Sequence, residues 1–364
     1  MRGLWVLSII FALVLLGYNM PSAFFPLYLS QNGLNKFQTG IVLSMLPLMI
    51  IILSFPASFI IERLGISKTI SIAILGYSAF LLLLSFATTL VHFIALFMLI
   101  GISAALFWVS GNTYIFQQKN VPMSVSYFSI IYMIPSVIAP FIGGFLIQQI
   151  GYQSLFRLGS LIMPVALIAS LVFLRGKKHK VVKVSIDIKK MFGYIIPFTV
   201  VVAVTNVMVF LPLFFAERGL NESQIGTIIS VSSIAAILSF IPAGMLISRI
   251  GAKLSAILGS IIGVITFLMF IFLSNNFVEM LVGILPFSIG FNLTSLAFFT
   301  MIRKLFPLKS LDGSANQFMG NSGQFLGSIM NGYIFQNFGT MGLFYFSFLL
   351  TVFLALFLIK VKFD

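Results

Sequence analysis

The residues of this 364-residue chain that could do chemistry are few, and they are the wrong kinds for catalysis. Its seven acids are Glu62, Asp187, Glu217, Glu222, Glu279, Asp312 and Asp364, each at the end of an apolar run or in a break between runs. His92 and His179 fall at the start of a run and in the longest break, and there is no cysteine. Disulfide and thiolate chemistry are therefore excluded. No metal-ligand spacing, nucleophile–base pair or phosphate loop is present, and an intramembrane enzyme would need paired ionisable groups at depth. What remains is neutral hydrogen bonding. Gln317, Asn321, Gln324, Ser328 and Asn331 follow at steps of four, three, four and three, which aligns them along one helical stripe. Gly320, Gly323 and Gly327 lie beside it and suit close helix contact. Amides turned to lipid would leave donors and acceptors unmade, so the stripe must face protein or a wet cavity.

The elements that position these groups are membrane spans. The chain is 60% hydrophobic and 8% charged, where soluble domains carry about 25% charged residues. It divides into twelve apolar runs of roughly 20–27 residues, each long enough as a helix to cross a core ~30 Å thick. The fold class that follows is an all-α integral membrane protein with twelve transmembrane helices. With both termini inside, 18 of the 21 Lys and Arg fall on the inner side, and only Lys36, Arg157 and Arg218 fall outside. That asymmetry predicts a multi-pass protein of the cytoplasmic membrane with both termini cytoplasmic. The net charge of +14 thus reads as a topology signal and an attraction to anionic lipid, not as a nucleic-acid footprint.

The chain writes one stretch twice. Pro26–Gly65 returns 186 residues later as Pro212–Gly251, with 14 of the 40 paired positions identical. Chance would match Ile and Leu, but here two Pro, three Gly, an Asn, a Gln and an Arg also stay in register. Two copies of one half are expected, with an N-terminal six-helix bundle over 1–174, a basic linker over 175–190 and a C-terminal bundle over 191–364. Gly33 and Gly219 each end an apolar run, where a left-handed residue terminates a helix. Asn35 and Asn221 follow, each with Gln three residues on, the spacing of a capping box. Asn221-Glu222-Ser223 also spells a glycosylation sequon, but Asn35-Lys36-Phe37 does not, which favours the cap. Met1–Ala23 has the make-up of a signal peptide. The repeat argues for keeping it as the first span, because cleavage would leave the first half one helix short.

The run Ser58-Phe59-Ile60-Ile61-Glu62-Arg63-Leu64-Gly65-Ile66-Ser67-Lys68 resembles the loop between helices 2 and 3 of the major facilitator superfamily, usually Gly-x-Leu-Ala-Asp-Arg-x-Gly-Arg-Arg/Lys. Glu62 takes the acid's place, Arg63, Gly65 and Lys68 match, and Ser58 replaces the first Gly. The second copy keeps Gly244, Arg249 and Gly251 but has Ser248 for the acid. The resemblance implies a cytoplasmic gate built from Glu62, Arg63, Gly65, Lys68, Arg249 and Gly251. Ala139-Pro140-Phe141-Ile142-Gly143-Gly144 on helix 5 resembles the superfamily's antiporter motif, and Pro140, Gly143 and Gly144 are expected to form a hinge and a smooth packing face. Where drug–proton antiporters often carry an Arg on helix 4, this chain has Phe97, a departure from that subgroup.

Helices 1, 4, 7 and 10 line the cavity in the resembled family, joined by parts of 2, 5, 8 and 11. The substrate-binding candidates are accordingly Asn19, Trp108, Asn112, Asn206, Asn292, Asn321 and Gln324, any of which could instead staple one helix to another. The implied function is alternating-access transport of a small organic solute between two rocking bundles. Export of amphipathic compounds suits the 42 Phe; uptake of a neutral metabolite such as a sugar or nucleoside suits the amide stripe. A membrane receptor that keeps the fold without transporting is a further alternative. No cofactor or metal is called for, and the expected partners of a monomer are its solute and membrane lipid. Since every acid is assigned to an end or a loop, coupling through a buried carboxylate is not expected.

Overall fold

The two copies turn on the same few local bonds. In the computed structural model, which describes residues 2–54, 56–116, 118, 121–174, 207–273, 276–305 and 312–360, Gly33 and Gly219 adopt φ of 83° and 81°. The Gly33 N–H donates to Ser30 (3.0 Å) and the Leu34 N–H to Leu29 (3.2 Å); Gly219 and Leu220 repeat this onto Ala216 (2.9 Å) and Phe215 (3.1 Å). Both are Schellman turns, which satisfy the last carbonyls of a helix. Reciprocal capping boxes follow. The Gln38 N–H donates to Asn35 Oδ1 at 2.8 Å while the Asn35 N–H donates to Gln38 Oε1 at 3.0 Å. Asn221 and Gln224 make the same pair of bonds at 2.9 and 3.1 Å. Asn221 is therefore a helix cap.

Among the described residues, nine helical stretches are long and apolar enough to cross a membrane. Two of them fold back on themselves, at Gly151 (φ 76°) and Gly339 (φ 66°), giving eleven passes. The shorter Val207–Glu217 makes twelve. Span 1 is Arg2–Ser22 with a short continuation Phe25–Gln31, and span 2 is Lys36–Leu53 with Pro56–Leu64. Spans 3 and 4 are Ile66–Leu84 and Leu90–Phe116, and spans 5 and 6 are the two arms of Val121–Phe173. Span 7 ends at Glu217; spans 8, 9 and 10 are Glu222–Ile250, Ala252–Phe272 and Phe277–Leu305; spans 11 and 12 share Asp312–Lys360. The linker 175–190 and the start of span 7, with Asn206, lie outside the described residues.

The first copy is interrupted where the second is not. Spans 1 and 2 are not continuous helices: each stops and restarts just before Pro26 or Pro56. The repeat partners Pro212 and Pro242 sit inside unbroken helices. The two copies differ here in proline content. Pro21 and Pro47 precede the breaks, whereas the matching positions hold Val207 and Ser233. A proline removes one backbone bond and crowds the carbonyl four residues earlier, yet Pro135 and Pro140, spaced as Pro21 and Pro26 are, lie within one unbroken helix, so a second proline does not by itself set a break.

Aromatic rings fill the bundles near their capped ends, where Asn35 and Asn221 lie. Phe97 is buried and meets Phe25 and Phe80 edge-on, each at 5.4 Å between centroids. The position that departs from the antiporter subgroup is thus a core position. Phe344 plays the same part in the second half, edge-on to Phe214 (5.0 Å) and stacked on Phe270 (5.3 Å).

The halves meet along two seams, span 2 on span 11 and span 5 on span 8. Glycines make both possible. A Cβ on Gly40 would stand 2.5 Å from the Ser328 carbonyl oxygen, and one on Gly332 would stand 2.9 Å from that of Lys36. On the other seam Gly226 lies against the Pro140 carbonyl and Gly144 against that of Glu222. All four contacts lie towards the capped end. So do the hydrogen bonds, ion pair and ring contacts that join the halves among the described residues.

Candidate translocation site

Span 5 carries Phe128, Tyr132, Ser136, Pro140 and Gly144 at steps of four, so a slowly turning stripe runs from an aromatic wall to the closed seam. Tyr132 meets Trp108 of span 4 edge-on at 5.5 Å and Phe128 at 5.1 Å. Phe11 of span 1 is fully buried and packs behind Trp108 and Tyr132, which are part-exposed. It stacks on Phe107 at 3.8 Å and stands edge-on to Trp108 and Phe128 at 5.5 and 4.8 Å. Further along span 1, the Asn19 amide donates to Ser136 Oγ at 3.3 Å. Spans 1, 4 and 5 therefore bring together the Asn19 amide, the Ser136 hydroxyl and five rings, with Asn112 part-buried one turn beyond Trp108. Rings present apolar faces with polar edges, and the amide and hydroxyl supply neutral donors and acceptors.

The second-half candidates divide. Asn292 is buried and committed, its amide donating to the Ala236 carbonyl at 2.7 Å and to Ser239 Oγ at 2.8 Å. With the Ser232–Ser288 contact of 2.7 Å it staples span 10 to span 8. The equivalent spans of the first half are joined by close packing instead, Gly101 of span 4 facing the Leu46 carbonyl. Along span 11, Asn321, Ser328 and Asn331 are buried and Gln324 is exposed. No contact brings Asn292 to the Trp108 wall among the described residues, and Asn206 lies outside them.

Sequence reasoning passed over Phe11, Phe128 and Ser136. The signal was the four-residue spacing on span 5, masked by the abundance of Phe elsewhere. The charge asymmetry marks Lys36 as an outside exception but carries no sign of the acid that balances it.

At the opposite end of the spans, Gly65 and Gly251 take φ of 84° and 86°. Their carbonyls accept from Thr69 Oγ1 and Ser255 Oγ, each at 2.8 Å, so the two short loops have one geometry. Arg63, Lys68 and Arg249 are exposed and Glu62 is part-buried. In this conformation Glu62 and Arg63 form no ion pair among the described residues. Pro140, Gly143 and Gly144 all lie in close contacts: Gly143 against the Met20 carbonyl of span 1, the other two at the seam with span 8. The described acids stay at helix ends, as Glu279 does in the first turn of span 10, where Asn276 donates to it at 2.7 Å. No three His, Asp or Glu side chains come together among the described residues.

A family model described as Major Facilitator Superfamily matches residues 7–192 and again 193–363. The structure of the nucleoside transporter NupG superposes with a TM-score of 0.84 at 15% identity, covering 100% of both chains. A POT family transporter in complex with 5-aminolevulinic acid gives 0.81 at 14% identity, with 98% of this chain and 95% of that one covered. A bacterial homolog of the human lysosomal transporter Spinster gives 0.77 at 13%, with the same coverage. No curated protein sequence matches the chain. At these identities the solved structures speak to the fold alone, but the family model spans nearly every residue, once per half. The chain belongs to the Major Facilitator Superfamily and is a multi-pass secondary transporter.

Proposed function

We propose that this protein carries an uncharged, hydroxyl-bearing organic solute, of nucleoside or sugar type, by alternating access between bundles 1–174 and 191–364. The reading rests on one observation. The groups gathered at spans 1, 4 and 5 are an amide, a hydroxyl and rings, while the described acids stay at helix ends. A neutral site of this kind stacks a planar or ring-shaped solute and bonds its hydroxyls. Among the described residues it offers a charged solute no counter-ion. The likeness to NupG, a nucleoside transporter by name, points the same way. In this reading Trp108, Asn19, Asn112 and Gln324 touch solute, and Asn321 and Asn206 complete the far side. Asn292 supports its helix. With the basic residues inside, the capped end faces outward. The conformation described here is then closed outside, and Glu62, Arg63, Lys68 and Arg249 form the inner gate when the cycle reverses.

Export of an amphipathic compound is a second reading, favoured by the Pro140–Gly144 segment lying in the span 5–span 8 seam. Thermal-shift measurements on the purified protein separate the two, because a ligand stabilises the state it binds by about 2.7 kcal/mol at a hundredfold excess over Kd. A rise in Tm with a nucleoside or sugar and none with lipophilic cations is expected. The reverse pattern would replace the uptake reading with export.

A further inference from the structure

Lys36 and Glu217 each carry the charge that their own helix end disfavours. Lys36 is the first residue of Lys36–Leu53, at the positive end of that helix's dipole. Glu217 is the last of Val207–Glu217, at the negative end. Across the seam between the halves the two side chains form an ion pair. Glu217 also accepts from Thr340 Oγ1 at 2.7 Å. Lys36 makes two further contacts with the opposite half. Its ammonium lies 3.7 Å from the centre of the Phe335 ring, and its backbone N–H, an orphan donor of the first helical turn, donates to Gln336 Oε1 at 3.0 Å.

The other seam holds the repeat-equivalent residues with different chemistry. Lys36 corresponds to Glu222 at the offset of 186, and Thr340 to Tyr152 at 188, the offset at which Gly144, Gln148 and Gly151 match Gly332, Gln336 and Gly339. There the Tyr152 hydroxyl donates to Glu222 Oε1 at 3.1 Å. Glu222 stands in the first turn of its helix, where an acid is favoured, and the position matching Glu217 is the neutral Gln31.

From these contacts we infer that Lys36 and Glu217 are an electrostatic latch that holds the capped end of the transporter shut, with Tyr152 and Glu222 as a second arm that carries only one charge. The inference rests on the alternating-access reading. Opening the capped end strands each latch charge at an unfavourable helix terminus, so the pair biases the equilibrium towards the conformation described here. The arms should also differ in their response to salt. The Lys36 and Glu217 side chains are 31% and 42% exposed, so their pairing is screened; the Tyr152 hydroxyl bond is far less sensitive. For a pair this exposed, the bias is roughly two- to fivefold in the ratio of the two states.

The test uses the cysteine-free full chain, with spin labels at Ser30→Cys and Asn337→Cys on exposed positions of opposite halves, in lipid nanodiscs. Pulsed dipolar spectroscopy then reads the closed and open distances without any substrate. Glu217→Gln should raise the open-to-closed ratio two- to fivefold, and the charge-exchanged Lys36→Glu/Glu217→Lys protein should fall back towards wild type. High salt should open the wild type but leave Glu217→Gln unmoved, and Tyr152→Phe should open the end while keeping the wild-type salt response. An unchanged ratio in Glu217→Gln would overturn the latch and leave alternation standing. A single distance in the wild type and in every variant would remove both.

Discussion

Gly226 and Gly244 lie on the same face of span 8, about five full turns apart, yet their surroundings are opposite. Gly226 is pressed against the Pro140 carbonyl of the other half, and a Cβ on Gly244 would meet nothing within 4 Å. One helix face is thus closed at the capped end and open at the other.

Gly226→Ala should force span 8 away from span 5, at a cost of about 1–3 kcal/mol to this conformation. Gly244→Ala should stabilise it by about 0.5–1 kcal/mol, because alanine suits an exposed helix interior better than glycine. Thermal unfolding of the two variants in one detergent checks the signs. Equal destabilisation by both would mean that Gly244 is packed as Gly226 is.

Asn292 and Trp108 separate a staple from a solute contact. Asn292→Ala removes two interhelical bonds and should cost about 0.6–1.7 kcal/mol, the range of such bonds in membrane proteins. Ligand affinity should stay within severalfold. Trp108→Ala should do the converse, weakening ligand binding roughly five- to 150-fold through loss of a ring face worth ~1–3 kcal/mol. Calorimetric titration alongside unfolding measures both, and a large affinity loss in Asn292→Ala would return that residue to the site.

The two capping boxes are independent copies. Asn35→Ala and Asn221→Ala should each destabilise by about 1 kcal/mol, and the double variant by the sum, since the sites share no partner. A strongly sub-additive double variant would show that the two caps act on one shared event.

Glu279 stands in the first turn of span 10, in a reciprocal pair with Asn276 (2.7 and 3.0 Å). A carboxylate that couples transport to protons must be buried and change environment between states, and a cap does neither. Glu279→Gln should leave the pH-gradient dependence of solute uptake by proteoliposomes unchanged. Gradient-driven accumulation that disappears in the variant would make Glu279 the coupling group.

Much of the architecture was legible in the sequence because it is set by neighbours a few residues apart. The Gly33 and Gly219 turns and the Asn35 and Asn221 caps depend on local dihedrals and on bonds between residues three to five apart. A repeat at a fixed offset makes such signals visible twice.

The partnerships across the molecule are of another kind. The sequence supplied Lys36, Glu217, Asn292 and the amide stripe of span 11 as types and spacings, and it determined that buried polar groups must find partners. It could not say that Lys36 meets a residue 181 positions away or that Asn292 is spent on span 8. Nor could it say that Ser136 and Asn19 meet. In a membrane every apolar face is equally at home against lipid or protein, so hydrophobicity alone does not choose a helix's neighbours. That choice is made by close contact at small residues such as Gly40, Gly226 and Gly332, and it exists only once the two bundles have come together.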